Sequence, residues 1–304
     1  MDGIIPIWKE RGMTSHDCIY KVRKILGTKK VGHSGTLDPN VDGVLPIGVG
    51  KGTKMMEYIV DSSKVYTGEI TIGFSTTTED LDGDIVEQVA LAEDDLQDEQ
   101  ISQVLTEFEG IITQIPPLYS AIRVNGRRLY EYARNNEEVV RPKREVNIHS
   151  FEKTSEIMYN ATEQTYSFTF KVECSKGTYI RTLAVDVGKE LGFPATMTQL
   201  TRISSGGFTD EDAVRLDQLT ELKKLGQIDG VMKPIETALT NLANKVLSEE
   251  EWLRVKHGAL LEKASYPATY PLVFYYQDKA VAIYEAHPKK THLIKPKKVL
   301  QTEL

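Results

Sequence analysis

The most informative stretch for the fold is residues 32–39, Gly32-His33-Ser34-Gly35-Thr36-Leu37-Asp38-Pro39, together with the closing residues Gly43-Val44-Leu45-Pro46. Glycine supplies positive φ values and proline fixes φ, so an aspartate before a proline among glycines is usually a turn residue. Taken alone, the stretch predicts a tight loop that carries Asp38. A chemical role for Asp38 depends on the segments around that loop.

The segments around this loop alternate between strand and helix patterns. Residues 4–8 are typical of a short apolar strand, and Thr14 fits the N-cap of an amphipathic helix that ends at Gly27. Residues 66–74 alternate with period two, which places Tyr66 on the same face as Ile70, Ile72 and Phe74. Residues 96–109 predict a second amphipathic helix, ended by Gly110.

The second half of the chain carries a strand-to-helix corner and a hairpin. Residues 166–174 alternate like a strand and lead through Lys176 into a helix that ends at Gly192, with Tyr179 and Arg181 at the corner. Residues 271–276 and 280–284 are typical of a hairpin in a small β domain. Residues 115–145, rich in arginine and tyrosine, predict an exposed insertion.

The composition excludes several classes of protein. Hydrophobic residues make up 40% and charged residues 27%, as in ordinary globular proteins. No apolar run approaches the roughly 20 residues that span a bilayer, and the first residues lack a signal-peptide pattern. We therefore expect a cytoplasmic protein. Cys18 and Cys174 have no CxxC partner and no histidine cluster beside them, so we expect neither disulfides nor a metal.

Charge is distributed unevenly along the chain. The net charge is −7, yet residues 79–109 alone contain twelve acidic side chains and no lysine or arginine. Residues 9–30 carry an excess of five positive charges, and residues 286–304 are also basic. A single charged run is usually a solvated face. Several separated basic segments favour an RNA partner.

Several familiar site motifs are incomplete or absent in this sequence. Residues 48–52 contain glycines like those of a nucleotide loop, but Thr53 and Lys54 fit neither the dinucleotide nor the phosphate-loop order. Residues 80–83 match the middle of a calcium loop, but Val89 holds the twelfth position, where glutamate is required. Neither a GxSxG elbow nor an ordered Ser, His and Asp set occurs.

The loop around Asp38 resembles the catalytic loop of the bacterial tRNA pseudouridine-55 synthase (TruB) family, in which GHxGxLDP supplies the catalytic aspartate. The resemblance covers roughly residues 3–210 and recurs in order along the chain. The further matching segments are Gly73-x-x-Thr76-x-Thr78-x-Asp80-x-x-Gly83, PPLYSA at 116–121, LYEYAR at 129–134 and CSKGTYIRT at 174–182.

The resemblance implies an α+β fold with two domains. Residues 1–240 would form a large pseudouridine-synthase domain with a mixed, mainly antiparallel sheet, and the insertion at 115–145 would contact RNA. Residues 241–304 would form a small β-rich, PUA-like RNA-binding domain. The implied reaction isomerises uridine 55 in the T-loop of tRNA with base flipping. It needs no cofactor because nothing is oxidised. We expect a monomer that binds the tRNA T-arm, with neither a membrane nor an obligate protein partner.

The resemblance also assigns roles to individual residues. Asp38, Arg181 and Tyr66 would be catalytic, with Arg181 as the ionic partner of Asp38. His33, Tyr66, Tyr179 and Leu200 would contact the displaced loop and the flipped base. Arg123, Arg127, Arg128 and Lys176 would meet phosphates. Three routes stay open for the carboxylate: attack on C6 of the base, a bond to C1′, or removal of a sugar proton.

The chain departs from the family pattern at three places. Lys9 is followed by Glu10 instead of proline, and Asp42 replaces the usual threonine, which predicts a second carboxylate near Asp38 and a raised pKa for one of the two. Residues 240–304 match the family only loosely. Two other functions remain: a guide-RNA-dependent synthase, whose loop is similar, and a non-catalytic tRNA-binding or folding module, which the basic segments alone support. The segment CSKGTYIRT and the insertion favour the stand-alone synthase.

Overall fold

A computed structural model describes residues 1–303 of the chain. Its α-helices are α1 (Ser15–Leu26), α2 (Met56–Val60), α3 (Asp98–Glu107), α4 (Leu129–Arg134), α5 (Ile180–Leu191), α6 (Leu216–Lys224) and α7 (Glu249–Val255). Its strands are β1 (Gly3–Lys9), β2 (Val31–His33), β3 (Asp42–Val49), β4 (Lys64–Ile72), β5 (Phe74–Thr76), β6 (Ile85–Gln88), β7 (Gly110–Gln114), β8 (Arg123–Val124), β9 (Arg127–Arg128), β10 (Arg144–Lys153), β11 (Met158–Asn160), β12 (Thr165–Cys174), β13 (Ala195–Ser205), β14 (Phe208–Thr209), β15 (Ala243–Val246), β16 (Leu261–Glu262), β17 (Leu272–Tyr276), β18 (Lys279–Ala286) and β19 (Leu293–Val299). None of the helices within residues 1–303 has the length and apolar character needed to cross a membrane.

The large sheet contains ten strands. Its central path runs β1-β3-β13-β4-β12-β10-β7, with β2 beside β3, β14 beside β13 and β11 beside β12. Within the described chain, β3 and β13 form the one parallel pair of this sheet, and its other pairs are antiparallel. The predicted α+β class with a mixed, mainly antiparallel sheet is confirmed.

A second, five-stranded sheet lies in the C-terminal part, in the order β15-β17-β18-β19-β16. The predicted hairpin is β17 and β18, and its turn residues Gln277 and Asp278 both have positive φ. Val273 and Ile283 pack against Ile4 and Val44 of the large sheet in one apolar cluster. The expected C-terminal β-rich domain is therefore present and packs on β1 and on β3, the strand that follows the loop of Asp38.

Local signals correctly placed the helices that frame the site. Thr14 caps α1 with a reciprocal capping box, and Gly27 ends it in the left-handed conformation. Gly192 ends α5 in the same way. The helix predicted at residues 96–109 is α3, although it ends at Glu107 and Gly110 instead begins β7.

One strand prediction extended too far. The strand of Tyr66 ends at Ile72, because Gly73 has a φ of 125° and its N–H bonds to the carbonyl of Pro194. Phe74 belongs to the separate hairpin of β5 and β6, so it does not share the face of Tyr66. The alternation in the sequence continues to Phe74, but the positive φ of Gly73 turns the chain and ends the strand before it.

Candidate active site

The loop of Asp38 is fixed to its neighbours from several sides. The Ser15 hydroxyl of α1 donates to the Leu37 carbonyl at 3.2 Å and accepts from the Leu37 N–H at 2.9 Å. The Lys9 side chain is fully buried, and its ammonium donates to the carbonyls of Pro39 at 3.1 Å and Met13 at 2.7 Å. Burial lowers the pKa of Lys9 to about 8. The backbone beside Asp38 is therefore held by buried groups.

Arg181 stands in the first turn of α5 and is 6% exposed. Its Nη2 lies 3.1 Å from Oδ2 of Asp38 and also donates to the Tyr119 carbonyl at 3.1 Å. Its Nη1 donates to the Thr78 carbonyl at 2.8 Å, and its Nε lies 3.6 Å from Asp80. The guanidinium thus has partners in three separate segments, which fixes its direction.

Opposing influences act on the Asp38 carboxyl. Burial raises its pKa above the ordinary value, and the Arg181 guanidinium opposes that effect. The carboxylates of Asp80 and Asp82 raise the pKa further, and Lys9 lowers it. The net direction is upward. Arg181 therefore favours the ionised form of Asp38 against the effect of burial.

A cavity of about 300 Å³ opens beside this pair. It brings together six of the residues that the sequence singled out: Asp38, Tyr66, Lys176, Tyr179, Arg181 and Leu200. Tyr66 and Leu200 are almost completely buried in its walls, at 9% and 7% exposure. Apolar and aromatic walls with a few convergent polar groups are typical of small-ligand sites, and the volume falls in their range.

The remaining predicted site residues lie away from this cavity. His33 is half-buried in β2, paired with Ile47, and its Nδ1 has no hydrogen-bond partner within the described chain. Arg123, Arg127 and Arg128 lie together on the hairpin of β8 and β9. Each of the four is outside the cavity lining.

The insertion forms a compact arginine and tyrosine cluster. The Arg127 guanidinium stacks 4.3 Å above the Tyr132 ring and pairs with Glu137 at 2.7 Å. Arg128 donates to the Tyr130 hydroxyl at 2.9 Å. The hairpin therefore presents cations that are already oriented by stacking.

Asp42 is engaged by groups other than Asp38, and it is not among the largest influences on the pKa of Asp38. Its carboxylate accepts from the Thr201 hydroxyl at 2.6 Å and lies 3.5 Å from Arg11. The carboxylates that raise the pKa of Asp38 most are Asp80 and Asp82, from the acidic segment. Glu10 is likewise engaged, since it pairs with Arg215 at 2.9 Å. Neither departure places an unpaired carboxylate at the cavity.

Sequence reasoning missed two buried cations of the cavity wall, Lys64 and Arg202. Arg202 is 1% exposed and lies directly opposite Tyr66 across β13 and β4. Period two from Leu200 would have placed Arg202 on the same face, which was the available signal. Lys64 lies two residues before Tyr66 on β4, so the same period-two rule places both side chains on one face. Burial lowers the pKa of Lys64 to about 8.

Two family models match the chain. The model described as TruB family pseudouridylate synthase (N terminal domain) matches residues 23–180, and the tRNA pseudouridylate synthase B C-terminal domain matches residues 181–240. Among solved structures, a Cbf5-Nop10-Gar1 complex contains a similar chain with a TM-score of 0.73 and 26% identity, over 98% of this chain and 85% of that one.

Two full-length relatives share about half of their residues with the chain. The tRNA pseudouridine synthase B of Bacillus pumilus is 48% identical over 308 residues, covering 100% of this chain and 99% of that protein. The protein of the same name from Pediococcus pentosaceus is 50% identical over 301 residues, covering 99% of each. The chain belongs to the TruB family of pseudouridylate synthases.

Proposed function

We propose that the chain isomerises uridine 55 in the T-loop of tRNA to pseudouridine, with Asp38 as the catalytic carboxylate. The observation that carries the proposal is the Asp38–Arg181 ion pair, which faces a cavity walled by Tyr66, Tyr179 and Leu200. Membership of the TruB family supports the tRNA reaction. The resemblance of the motifs supports uridine 55 as the target, and the geometry of the cavity supports the proposed roles of its residues.

The reaction exchanges one glycosidic bond for another. The bond from C1′ to N1 breaks, the base turns within the cavity, and C1′ bonds to C5. N1 gains a proton and C5 loses one, so the reaction is balanced without an oxidant. Each of the three possible routes requires Asp38 ionised and oriented, and Arg181 supports both conditions. The open side of Asp38, 43% exposed, leaves it accessible to the nucleotide.

The target nucleotide must leave its folded loop to reach Asp38. Extrusion of a base costs about a few kcal/mol, and stacking on aromatic or imidazole surfaces offsets part of that cost. Tyr66 and Tyr179 supply such surfaces inside the cavity. We assign His33, outside the cavity, to the vacated position in the loop. Arg123, Arg127, Arg128 and Lys176 are assigned to phosphates, which position the RNA. The segment from residue 241 onward is assigned to RNA binding as a second domain.

The test uses purified protein and a T-arm hairpin RNA with no guide RNA and no accessory protein. Pseudouridine is mapped along the hairpin after incubation with the wild type, Asp38→Asn and the matched control Asp42→Asn. Asp42 is four residues away, and an asparagine there still accepts from Thr201. We expect pseudouridine at position 55 with the wild type and with Asp42→Asn.

Asp38→Asn is expected to bind the hairpin and form no pseudouridine. Modification by Asp38→Asn would contradict the catalytic role. Modification at another uridine would contradict the assigned position. Binding without modification by the wild type would instead favour the non-catalytic tRNA-binding module, and activity that appears only with a guide RNA would favour the guide-dependent class.

A further inference from the structure

Arg202 is a buried cation that has no anionic partner among residues 1–303. It lies in the middle of the large sheet at 1% exposure, and no carboxylate within residues 1–303 forms an ion pair with it. Its Nε donates to the Val44 carbonyl at 2.8 Å, while its Nη2 is buried and has no hydrogen-bond partner in the described chain. Burial of a charge is costly unless the charge is paired, so an unpaired guanidinium needs a functional or structural reason.

The residue that faces Arg202 is Tyr66. Their Cα atoms are direct partners in the antiparallel pair of β4 and β13, where opposite side chains on one face are near neighbours. Both side chains line the same cavity, and Tyr66 is 9% exposed. Burial raises the pKa of the Tyr66 phenol, and the charge of Arg202 is the strongest influence in the opposite direction. The two residues therefore act on each other within the site.

We propose that Arg202 is a positioning residue that holds the Tyr66 phenol at the cavity and stabilises its ionised form while the C5 proton is removed. The inference rests on the proposed function, in which Tyr66 lies against the base. The phenol first releases its own proton to solvent. After C1′ has bonded to C5, the C5–H bond breaks, its electron pair forms the C5–C6 double bond of the product, and the C5 proton passes to the phenolate oxygen. The guanidinium is the fixed countercharge for that oxygen, and a preorganised buried charge stabilises an anion more strongly than solvent does.

The test measures single-turnover pseudouridine formation with tRNA whose uridine carries hydrogen or deuterium at C5. Arg202→Met removes the charge and keeps an apolar side chain of similar length. We expect formation to slow by about 100-fold, the scale of a weakened general base, and the C5 isotope effect to increase over that of the wild type. Arg202→Lys retains a charge, so we expect a smaller loss and an intermediate isotope effect.

Lys64→Met is the matched control. Lys64 is another buried cation of the same cavity, but its ammonium donates to the carbonyls of Val60 and Ser62 and not to Tyr66. We expect it to lower the melting temperature without increasing the C5 isotope effect. If Arg202→Met fails to fold, Arg202→Lys and Lys64→Met give the same comparison.

Two results would overturn the role of Arg202. One is a slower rate with an unchanged isotope effect in the Arg202 variants, which is the result of a merely structural residue. The other is a rate equal to that of the wild type. Failure of the proposed function is distinguishable, because the wild type itself would then form no pseudouridine.

Discussion

The Nη2 atom of Arg181 lies 3.1 Å from the Oδ2 atom of Asp38, and the two side chains differ sharply in exposure, at 6% and 43%. The arginine donates hydrogen bonds to the carbonyls of Thr78 and Tyr119, so its position is fixed independently of the aspartate. The aspartate is bound on one side and open on the other. A rigid cation thus orients an accessible carboxylate, which is what a reacting group inside a cavity requires.

Arg181→Lys tests this arrangement. A lysine keeps the charge but cannot direct separate N–H groups at Asp38, Thr78 and Tyr119. Displacement of the carboxylate by about 1 Å would slow single-turnover formation by about 100-fold. Because Arg181 lowers the pKa of Asp38, a weaker interaction also moves the acid limb of the pH–rate profile to higher pH. Arg215→Lys, at an exposed pair with Glu10, is the control. An unchanged profile for Arg181→Lys would contradict the assignment.

Asp82→Asn tests the electrostatics without removing a partner of Arg181. The Asp82 carboxylate raises the pKa of Asp38, so its removal lowers that pKa. More Asp38 is then ionised on the acid limb, and we expect faster formation there with little change at higher pH. The measurement is the single-turnover rate as a function of pH. Asp84→Asn removes a charge from the same segment and should leave the limb in place. A shift to higher pH for Asp82→Asn would refute the prediction.

The elements around the site were predictable where the signal is local. Thr14 and Gly27 bound α1, and the period-two pattern placed Tyr66 in a core-facing strand. Contacts between distant segments carry no such signal. The sequence places Asp42 four residues from Asp38, yet Asp42 faces Thr201, which lies beside it in the parallel pair of β3 and β13.

The burial of Arg202 is a second feature that the local sequence pattern does not predict. A charged residue within a strand is ordinarily taken as solvent-facing, since burial of a charge is costly. Its burial depends on the carbonyl of Val44 and on Tyr66, both more than 130 residues away in the sequence. Strand order, and not the local pattern, decides that contact.

Lys176→Met tests the proposed phosphate contact. Lys176 pairs with Asp61 at 2.7 Å, but both side chains are more than half exposed, so exchange of Asp61 for a phosphate costs little. We expect weaker tRNA binding and a salt dependence reduced by about one unit in the slope of log K against log salt. Asp61→Asn should strengthen binding, because it leaves Lys176 free. Lys189→Met, at an exposed lysine of α5 that pairs with the partly buried Asp186, is the control. Equal slopes for the wild type and Lys176→Met would exclude the contact.

Gly43→Ala tests the parallel junction of β3 and β13. Gly43 has a φ of 124°, and a Cβ there would lie 2.2 Å from the Arg202 carbonyl oxygen. Backbone strain and overpacking together predict a loss of about 4 kcal/mol in the free energy of unfolding, measured by urea denaturation. Gly230→Ala is the control, since no heavy atom lies within 4 Å of its added Cβ and its φ is not in the left-handed region. We expect that control to change stability by less than about 1 kcal/mol.

Because the junction joins the strand after the Asp38 loop to the strand of Leu200 and Arg202, Gly43→Ala should also slow pseudouridine formation in protein that remains folded. Equal stability of the two variants would contradict the prediction, because it would mean that the backbone of β13 moves away from the added Cβ at little cost.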